Sequence, residues 1–411
     1  MTIGQQYKPS EANLEQREWF QNARFGIMVH WGLYSLLAGG GDAIPSAWIL
    51  REKNIPPEDY KKLLNFFNPS DFSAEEWVKL IKDSGAGYLN FAVKHGDGFL
   101  LYDSKTSDFK VTNTPFGRDV LRELKGACDK YDLGLMIHYY QMGLTDDDYL
   151  AARTDPESNE AEWQRFLDRQ NEQVRELVTD YGKIDGLWFN GWWEIAERRD
   201  WDLQKTYKIV HDVQSQALIT NNHHIGLQDG EDYELFYKKF PLDAKTNIPR
   251  ETFFSISKTA WAYNLVVDDY LSADEIIAAI IRASAHNSNF TLNIGPMPDG
   301  RIAPETINTL REVGAWMNTY GEIIRGSKAK EWPTTDELAF VEKGASVYMF
   351  IMNDLADKLE LPNGISTKEI KSISLYGSDD KIGYSKGLKK GILLKDQMKV
   401  KKGTVYEIKT R

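Results

Sequence analysis

Through its first 330 residues the chain keeps one rhythm: a short β-prone apolar run, a longer amphipathic segment, then another short run. The short runs are 25–31 (FGIMVHW), 88–94 (YLNFAVK), 133–139 (LGLMIHY), 184–190 (IDGLWFN), 217–222 (ALITNN), 252–257 (TFFSIS) and 287–293 (NSNFTLN). Between them, helical periodicity predicts helices over 74–83, 118–131, 160–181, 202–216, 273–286 and 305–321. Ser73 with Glu76, and Ser272 with Glu275, have the spacing of a capping box, in which each side chain binds the other residue's backbone N–H. Apolar runs of this kind suit a parallel sheet covered on both faces. Sustained over this length, the alternation favours a (β/α) barrel over a doubly wound sheet. Only seven runs are found, so the predicted barrel is irregular.

The pattern changes after Gly326. LAFVEKG, SVYMFIMND, KLELPNG, IKSISLYGS and TVYEIKT are short, β-prone and broken by Gly, Asn and Asp. The expected class is therefore α/β: an irregular (β/α)8-like barrel over 1–330, then a small antiparallel β-sandwich domain over 331–411.

Charge and composition narrow the partners. The net charge is −11, and the first 330 residues hold no dense Lys/Arg cluster, which argues against nucleic acid. The basic stretch Lys386–Lys402 reads as the solvated face of a hairpin. No apolar run approaches the ~20 residues that span a bilayer, so no membrane helix is expected. The first residues lack a basic segment followed by an apolar one, the mark of a secretory signal. A full-length chain would then be cytoplasmic, and a trimmed one periplasmic or secreted. Cys128 is the lone cysteine, in a helical pattern with Val120, Leu121, Leu124 and Tyr131, and reads as a buried structural thiol. Association into a homo-oligomer stays open.

Functional groups of such a barrel gather at the C-terminal ends of its strands. Five of the seven histidines (His30, His95, His138, His223 and His224) fall at or just past predicted strand ends, and His211 and His286 fall on helices. No His-x-His or His-x-x-x-His pair occurs, and consecutive His223 and His224 would point to opposite faces of a strand. No metal or other cofactor is expected. Trp31, Trp48, Phe99, Tyr139, Tyr140, Trp188, Trp192, Trp193, Trp261 and Tyr263 lie near the same ends. Rings, imidazoles, Asn and Lys with few net positive charges suit a neutral polyhydroxylated ligand, which needs directional donors and a flat wall.

The segment Arg24-Phe-Gly-Ile-Met-Val-His-Trp-Gly-Leu-Tyr-Ser35 resembles the opening barrel motif of family 29 of the glycoside hydrolases, the α-L-fucosidases. Lys94-His-Gly-Asp-Gly-Phe99, Gly117-Arg-Asp-Val120, Ile184-Asp-Gly-Leu-Trp-Phe-Asn-Gly191, Glu251 through Trp261-Ala-Tyr263, and Leu292-Asn-Ile-Gly-Pro-Met-Pro-Asp-Gly300 follow in the family's order, so the resemblance spans nearly all of 18–330. It implies a retaining exo-glycosidase that releases terminal L-fucose from glycans. An aspartate on the fourth strand would attack the anomeric carbon and a glutamate would protonate the leaving oxygen, the two carboxyl groups about 5 Å apart. By family analogy His30 contacts ring hydroxyls; Trp31, Trp48, Lys94, His95, His138, Tyr139, Trp188, His223 and Trp261, at the same rim, are the further candidate sugar contacts.

The chain departs from the family where chemistry is done. Asn190 stands at the nucleophile position, and a neutral amide is a poor nucleophile. Gly96 replaces the second histidine before Asp-Gly-Phe, which predicts a wider pocket there, and His223 stands where the family often has Arg. Loose alignment puts Tyr237 near the acid/base, with Glu234 and Glu231 as neighbouring carboxylates. Among replacement carboxylates, Asp97 reads as orienting Lys94 or His95, Asp185 lies at the wrong end of its strand, and Glu194 follows the fourth strand closely enough to swing over the site. The catalytic candidates are Asn190, Glu234 and Glu194. Asn293 and Asp299 read as parts of a structural turn with Gly295 and Pro296. Two further readings stay open: a non-catalytic sugar-binding relative, and a glycosidase for a related sugar such as an α-L-galactoside.

Overall fold

A computed structural model describes all residues except 1–6, 40–45, 156–157, 196–197, 224, 244–246, 267–268, 354–360, 363–364, 366–367, 387–391 and 395–400. Eight parallel strands make the main sheet: β1 Phe25–Val29, β2 Tyr88–Lys94, β3 Gly134–Tyr140, β4 Gly186–Asn190, β5 Leu218–Asn221, β6 Glu234–Tyr237, β7 Arg250–Ser255 and β8 Asn289–Ile294. Their order, β5-β4-β3-β2-β1-β8-β7-β6, is that of a barrel with its seam between β5 and β6. At the seam, single bonds replace a ladder. Thr220 Oγ1 donates to Tyr233 O at 2.7 Å, and Asp232 N donates to Ile219 O at 2.7 Å.

The eighth strand, β6, is the one absent from the sequence reading. Its four residues, ELFY, are half-buried to exposed and lack the apolar run that marks the others. The predicted helices are present over Ala74–Asp83, Val120–Tyr131, Glu160–Thr179, Leu203–Val213, Ala273–Ala285 and Pro304–Ile324. Ser272 and Glu275 form the full reciprocal box, whereas Ser73 only accepts the Glu76 N–H. Helix Glu11–Ala23 and the short helix Asp147–Thr154 were not foreseen.

Strand alternation sorts side chains into two cores. Met28, Tyr88, Met136, Trp188, Leu218, Tyr233 and Phe253 pack inside the barrel, closed below by Phe20. Phe25, Ile27, Val29, Leu89, Phe91, Ile137 and Phe189 face the helices. Cys128 belongs to this outer core, and burial pushes its thiol up to about 12, as an inert packed group.

The second sheet is antiparallel, with order β12-β15-β11-β10-β9: β9 Lys328–Ala329, β10 Leu338–Lys343, β11 Ser346–Ile351, β12 Ile370–Leu375 and β15 Val405–Thr410. One face joins the barrel's outer core through Ala339, Val341 and Phe350, and the other buries Leu338, Phe340, Met349 and Ile373. β13 Tyr384–Lys386 and β14 Ile392–Leu394 pair as a separate hairpin, which places the start of the basic stretch on a hairpin. Among the described residues no helix is long and apolar enough to cross a membrane.

Candidate active site

At the C-terminal mouth of the barrel lies a cavity of about 150 Å³. Its walls come from residues two apart on neighbouring strands: Met28 and His30, His138 and Tyr140, Trp188 and Asn190, with Asn222, Tyr237, Phe253 and Trp261 across from them and Trp48 and Trp193 above. The period-two pleat explains this set, since only every second side chain of a barrel strand faces the axis.

The same geometry removes several predicted contacts. Trp31, next to His30, points outward, donates from Nε1 to Met297 O at 3.0 Å, and packs on Phe67, Phe72 and Trp77. Tyr139 and Lys94 also face outward, with Lys94 Nζ 3.2 Å from the Tyr139 hydroxyl. Tyr140 takes the inward place expected of Tyr139. His223 lines a separate cavity in the seam, of about 320 Å³, where its Nε2 donates to Glu231 at 2.8 Å. His224 lies outside the described residues.

The two alternative carboxylates are occupied elsewhere. Glu194 accepts from the Tyr149 hydroxyl and pairs with Arg153 at 2.8 Å. Glu234, on the outward phase of β6, pairs with Arg250 at 3.3 Å and borders the seam cavity. Asp185 accepts from Leu135 N and Gln16 Nε2 at the far end of the barrel. Asp97 accepts from the Tyr60 hydroxyl at 2.7 Å and from Phe99 N, and makes no hydrogen bond to Lys94 or His95 among the described residues. No carboxylate lines the Asn190 cavity among the described residues.

Two imidazoles, His30 and His138, line the cavity, and His95, expected as a sugar contact, packs behind its wall against Trp48 and Tyr140. The His30 ring lies 5.0 Å from that of His138 and 5.5 Å from that of His95, both edge-on. Burial holds His30 down at about 4, and holds His95 and His138 well below the ordinary imidazole range. All three are neutral at pH 7. Asn293 Oδ1 lies 2.6 Å from His30 Nδ1, so that nitrogen carries the proton and Nε2 presents a lone pair. Asn293 thus orients a site histidine as well as belonging to the turn. Asp299 pairs only with Arg301, as a turn residue would. Among the described residues no group of His, Cys, Asp and Glu could hold a metal ion.

The expected widening at Gly96 is not there. A Cβ at Gly96 would meet Met142 Sδ at 2.9 Å and the Trp48 ring at 3.1 Å. The volume a second histidine would take is filled by thioether and indole.

Asn190 closes β4. Gly191 follows at φ +89°, which lets the chain turn back so that its N–H donates to Asn190 Oδ1 at 2.8 Å. Trp193 Nε1 at 3.3 Å and Asn222 Nδ2 at 3.4 Å approach the same oxygen. Below, Trp188 lies tilted against His138, with ring centroids 4.3 Å apart, and donates from Nε1 to the buried Glu251 at 2.8 Å.

The family model for Alpha-L-fucosidase matches residues 2–322. The chain belongs to the alpha-L-fucosidase family. Its members are glycosidases. The tissue alpha-L-fucosidase of Homo sapiens is 26% identical over 404 residues, covering 90% of this chain and 84% of that one. The plasma alpha-L-fucosidase of Rattus norvegicus is 24% identical over 428 residues, covering 94% and 89%. Among solved structures, alpha-L-fucosidase isoenzyme 1 from Paenibacillus thiaminolyticus aligns with a TM-score of 0.83 at 26% identity, over 97% of this chain and all of that one. The alpha-L-fucosidase of Bacteroides thetaiotaomicron gives 0.85 at 23% identity, a likeness of fold.

Proposed function

We propose that the Asn190 cavity holds a terminal L-fucosyl unit of a glycan, with residue 190 beneath its anomeric carbon, and that the chain with Asn190 binds this unit far better than it hydrolyses it. The reading is supported by the cavity's chemistry. Its volume suits one sugar ring, neutral imidazoles and amides can meet hydroxyl groups, and Trp188, Trp261 and Phe253 offer flat apolar faces.

The observation that carries the catalytic part is the amide at the end of β4. A retaining glycosidase needs one carboxylate to form the glycosyl-enzyme and a second to protonate the leaving oxygen. Asn190 cannot supply the first, and Glu194 and Glu234 are engaged outside the cavity. What remains is a site built to orient a sugar: His30 Nε2 as acceptor, Tyr140 and Trp193 at the rim, and the Asn190 amide where negative charge would otherwise stand.

The test pairs calorimetry with L-fucose and an aryl α-L-fucoside assay, on this chain and on Asn190→Asp. The expected result is fucose binding by both and substantial turnover only by Asn190→Asp. Equal, substantial turnover by both would remove position 190 from the chemistry, and absence of fucose binding in both would overturn the sugar assignment.

A further inference from the structure

We propose that a second cavity, beneath the loops that follow β2 and β3 and outside the barrel wall, is a ligand site for an acidic sugar, meaning an oxyanion (a carboxylate or sulfate ester) carried on a hydroxylated ring. This cavity measures about 430 Å³ and shares no lining residue with the Asn190 cavity. It is independent of the fucosyl reading.

Lys94 is the reason. Its side chain is 4% exposed, lines this cavity, and has no ion-pair partner within 4 Å among the described residues. Its one hydrogen bond goes to the Tyr139 hydroxyl at 3.2 Å. That hydroxyl donates to Gln173 Oε1 at 2.6 Å, Gln173 Nε2 donates to Thr106 Oγ1 at 2.8 Å, and Ser104, 2.9 Å from Thr106, donates to Glu176 at 2.6 Å. The carboxylate ending this relay is too remote to pair with the ammonium. Two of the three ammonium N–H groups therefore lack a hydrogen-bond partner among the described residues; the Tyr139 and Phe166 rings, 4.6 and 5.6 Å from Nζ, offset part of a buried charge that is otherwise costly.

The carboxylates around it form no direct pair with it among the described residues. Asp146, on the loop after β3, is held by Arg169 at 2.7 Å. Asp148 is shared between Arg165 and Arg169. Asp97, after β2, is bound by the Tyr60 hydroxyl. Asp147 also lines the cavity, with no ion pair among the described residues, and Lys61 is held by Glu58 at 3.0 Å; none of these carboxylates pairs with Lys94, whose ammonium burial draws down to about 7.

A second buried group lacks a partner at the same place. Gln170 borders the cavity, is 1% exposed, and neither its Nε2 nor its Oε1 has a hydrogen-bond partner among the described residues. Ammonium and amide together offer donors for an oxyanion, and Thr106, Ser107 and Thr145 line the remaining wall with hydroxyls. Phe109 and Phe166 supply apolar surface for a ring.

The experiment is calorimetry on the full chain at about pH 6, below the Lys94 transition. The probes are a methyl hexuronoside, a monosaccharide sulfate, the neutral methyl hexoside, and inorganic sulfate. Either acidic sugar is expected to bind, the neutral sugar and the free ion at least about tenfold more weakly, and affinity is expected to fall at least about tenfold by pH 8.5 as the amine loses its proton. Lys94→Met and Gln170→Glu, the second adding a carboxylate to the cavity's lining, each abolish binding while the fold, followed by circular dichroism, is kept in at least one of them. Saturating L-fucose leaves the affinity unchanged. No binding of either acidic sugar, equal binding of the neutral sugar or of the free ion, unchanged binding in a folded variant, a flat pH profile, or displacement by L-fucose would each overturn the proposal.

Discussion

The side-chain amide nitrogen of Asn190 stands 3.4 Å from Nε2 of His138, while the oxygen of the same amide accepts from the Gly191 N–H at 2.8 Å. The amide is thus oriented by its neighbours: nitrogen toward a neutral imidazole, oxygen toward N–H donors. Those donors would also favour the ionised form of a carboxylate placed there. On the function proposed above, position 190 has surroundings that suit a nucleophilic carboxylate and lacks its charge.

From this follows a leaving-group prediction for Asn190→Asp. The variant gains a nucleophile but no carboxylic acid in the cavity among the described residues. Hydrolysis should rise by at least about 100-fold over the parent chain for an aryl fucoside whose phenol leaves unaided. It should rise far less for an alkyl fucoside, whose leaving oxygen needs a proton. The rate is measured across a series of phenols of graded acidity. A rate independent of phenol acidity in the chemical step would show that a general acid is present after all.

The buried imidazoles set an acid limit. His30 is held at about 4, so between that pH and the ordinary value near 6.5 the unfolded chain carries a proton that the folded ring refuses. Stability from this group is present above about 6.5 and is lost as pH falls toward 4, by about 2 to 3 kcal/mol near pH 4.5. His95 and His138 act in the same direction. Asp97, raised by burial to about 6, and Glu251, also raised by burial, oppose them: each keeps a proton when folded that the unfolded chain releases, and so favours the folded state at low pH. Asp185, raised by burial, opposes them too, whereas Glu75, Asp103 and Glu162, held low by hydrogen bonds from Lys130, Lys110 and Arg165, act with the imidazoles; the urea midpoint should be lower at pH 4.5 than at pH 7, with a smaller difference in His30→Asn. An unchanged or higher midpoint at pH 4.5 would contradict neutral, buried imidazoles.

Two tryptophans separate packing from binding. Trp31 is fully buried against Phe67, Phe72 and Trp77, and Trp31→Ala should cost about 3 to 5 kcal/mol. Trp48 is half-buried at the cavity mouth, 4.9 Å from the His95 ring. Trp48→Ala should cost less than Trp31→Ala in denaturant unfolding and weaken fucose binding about tenfold or more. Loss of affinity without loss of stability in Trp31→Ala would reverse the assignment.

Strand ends were legible in the sequence, because apolar runs and rim histidines mark them, but which neighbour faces the axis was not. His30 with Trp31 and Tyr140 with Tyr139 are adjacent pairs, and a one-residue change of phase moves a side chain from cavity to helix interface. At β2 the register also shifts between Ala92 and Lys94, so counting in twos fails there. The pairing of β4 carried its phase cleanly through Trp188 and Asn190. β6 was lost because the seam strand is short and half-exposed, with little hydrophobic signal. Trp193 reaches the cavity from the short 3-10 helix Trp192–Glu194 and Asn222 from a loop, where the strand period does not apply. Asn293 carried a signal that could have been used, an inward-phase polar residue on the strand beside His30.

Gly96 offers a test of how the site was repacked. Met142 and Trp48 occupy the space of the absent imidazole, with Met142 Sδ 2.9 Å from where a Cβ would stand. Gly96→His alone must push both aside, and overpacking of this kind costs about 1 to 3 kcal/mol. Truncating Met142 alone leaves a cavity and should cost about 2 kcal/mol or more. Combined, Gly96→His with Met142→Ala should be more stable than the sum of the single losses allows, by at least about 1 kcal/mol of coupling, because the imidazole fills what the thioether vacates. The double variant should also bind L-fucose more tightly than the parent chain, through one more donor at the rim. Thermal unfolding of the four chains and calorimetry on the parent and double variants read both terms. Additive stability losses would mean that Met142 does not stand in for the missing ring.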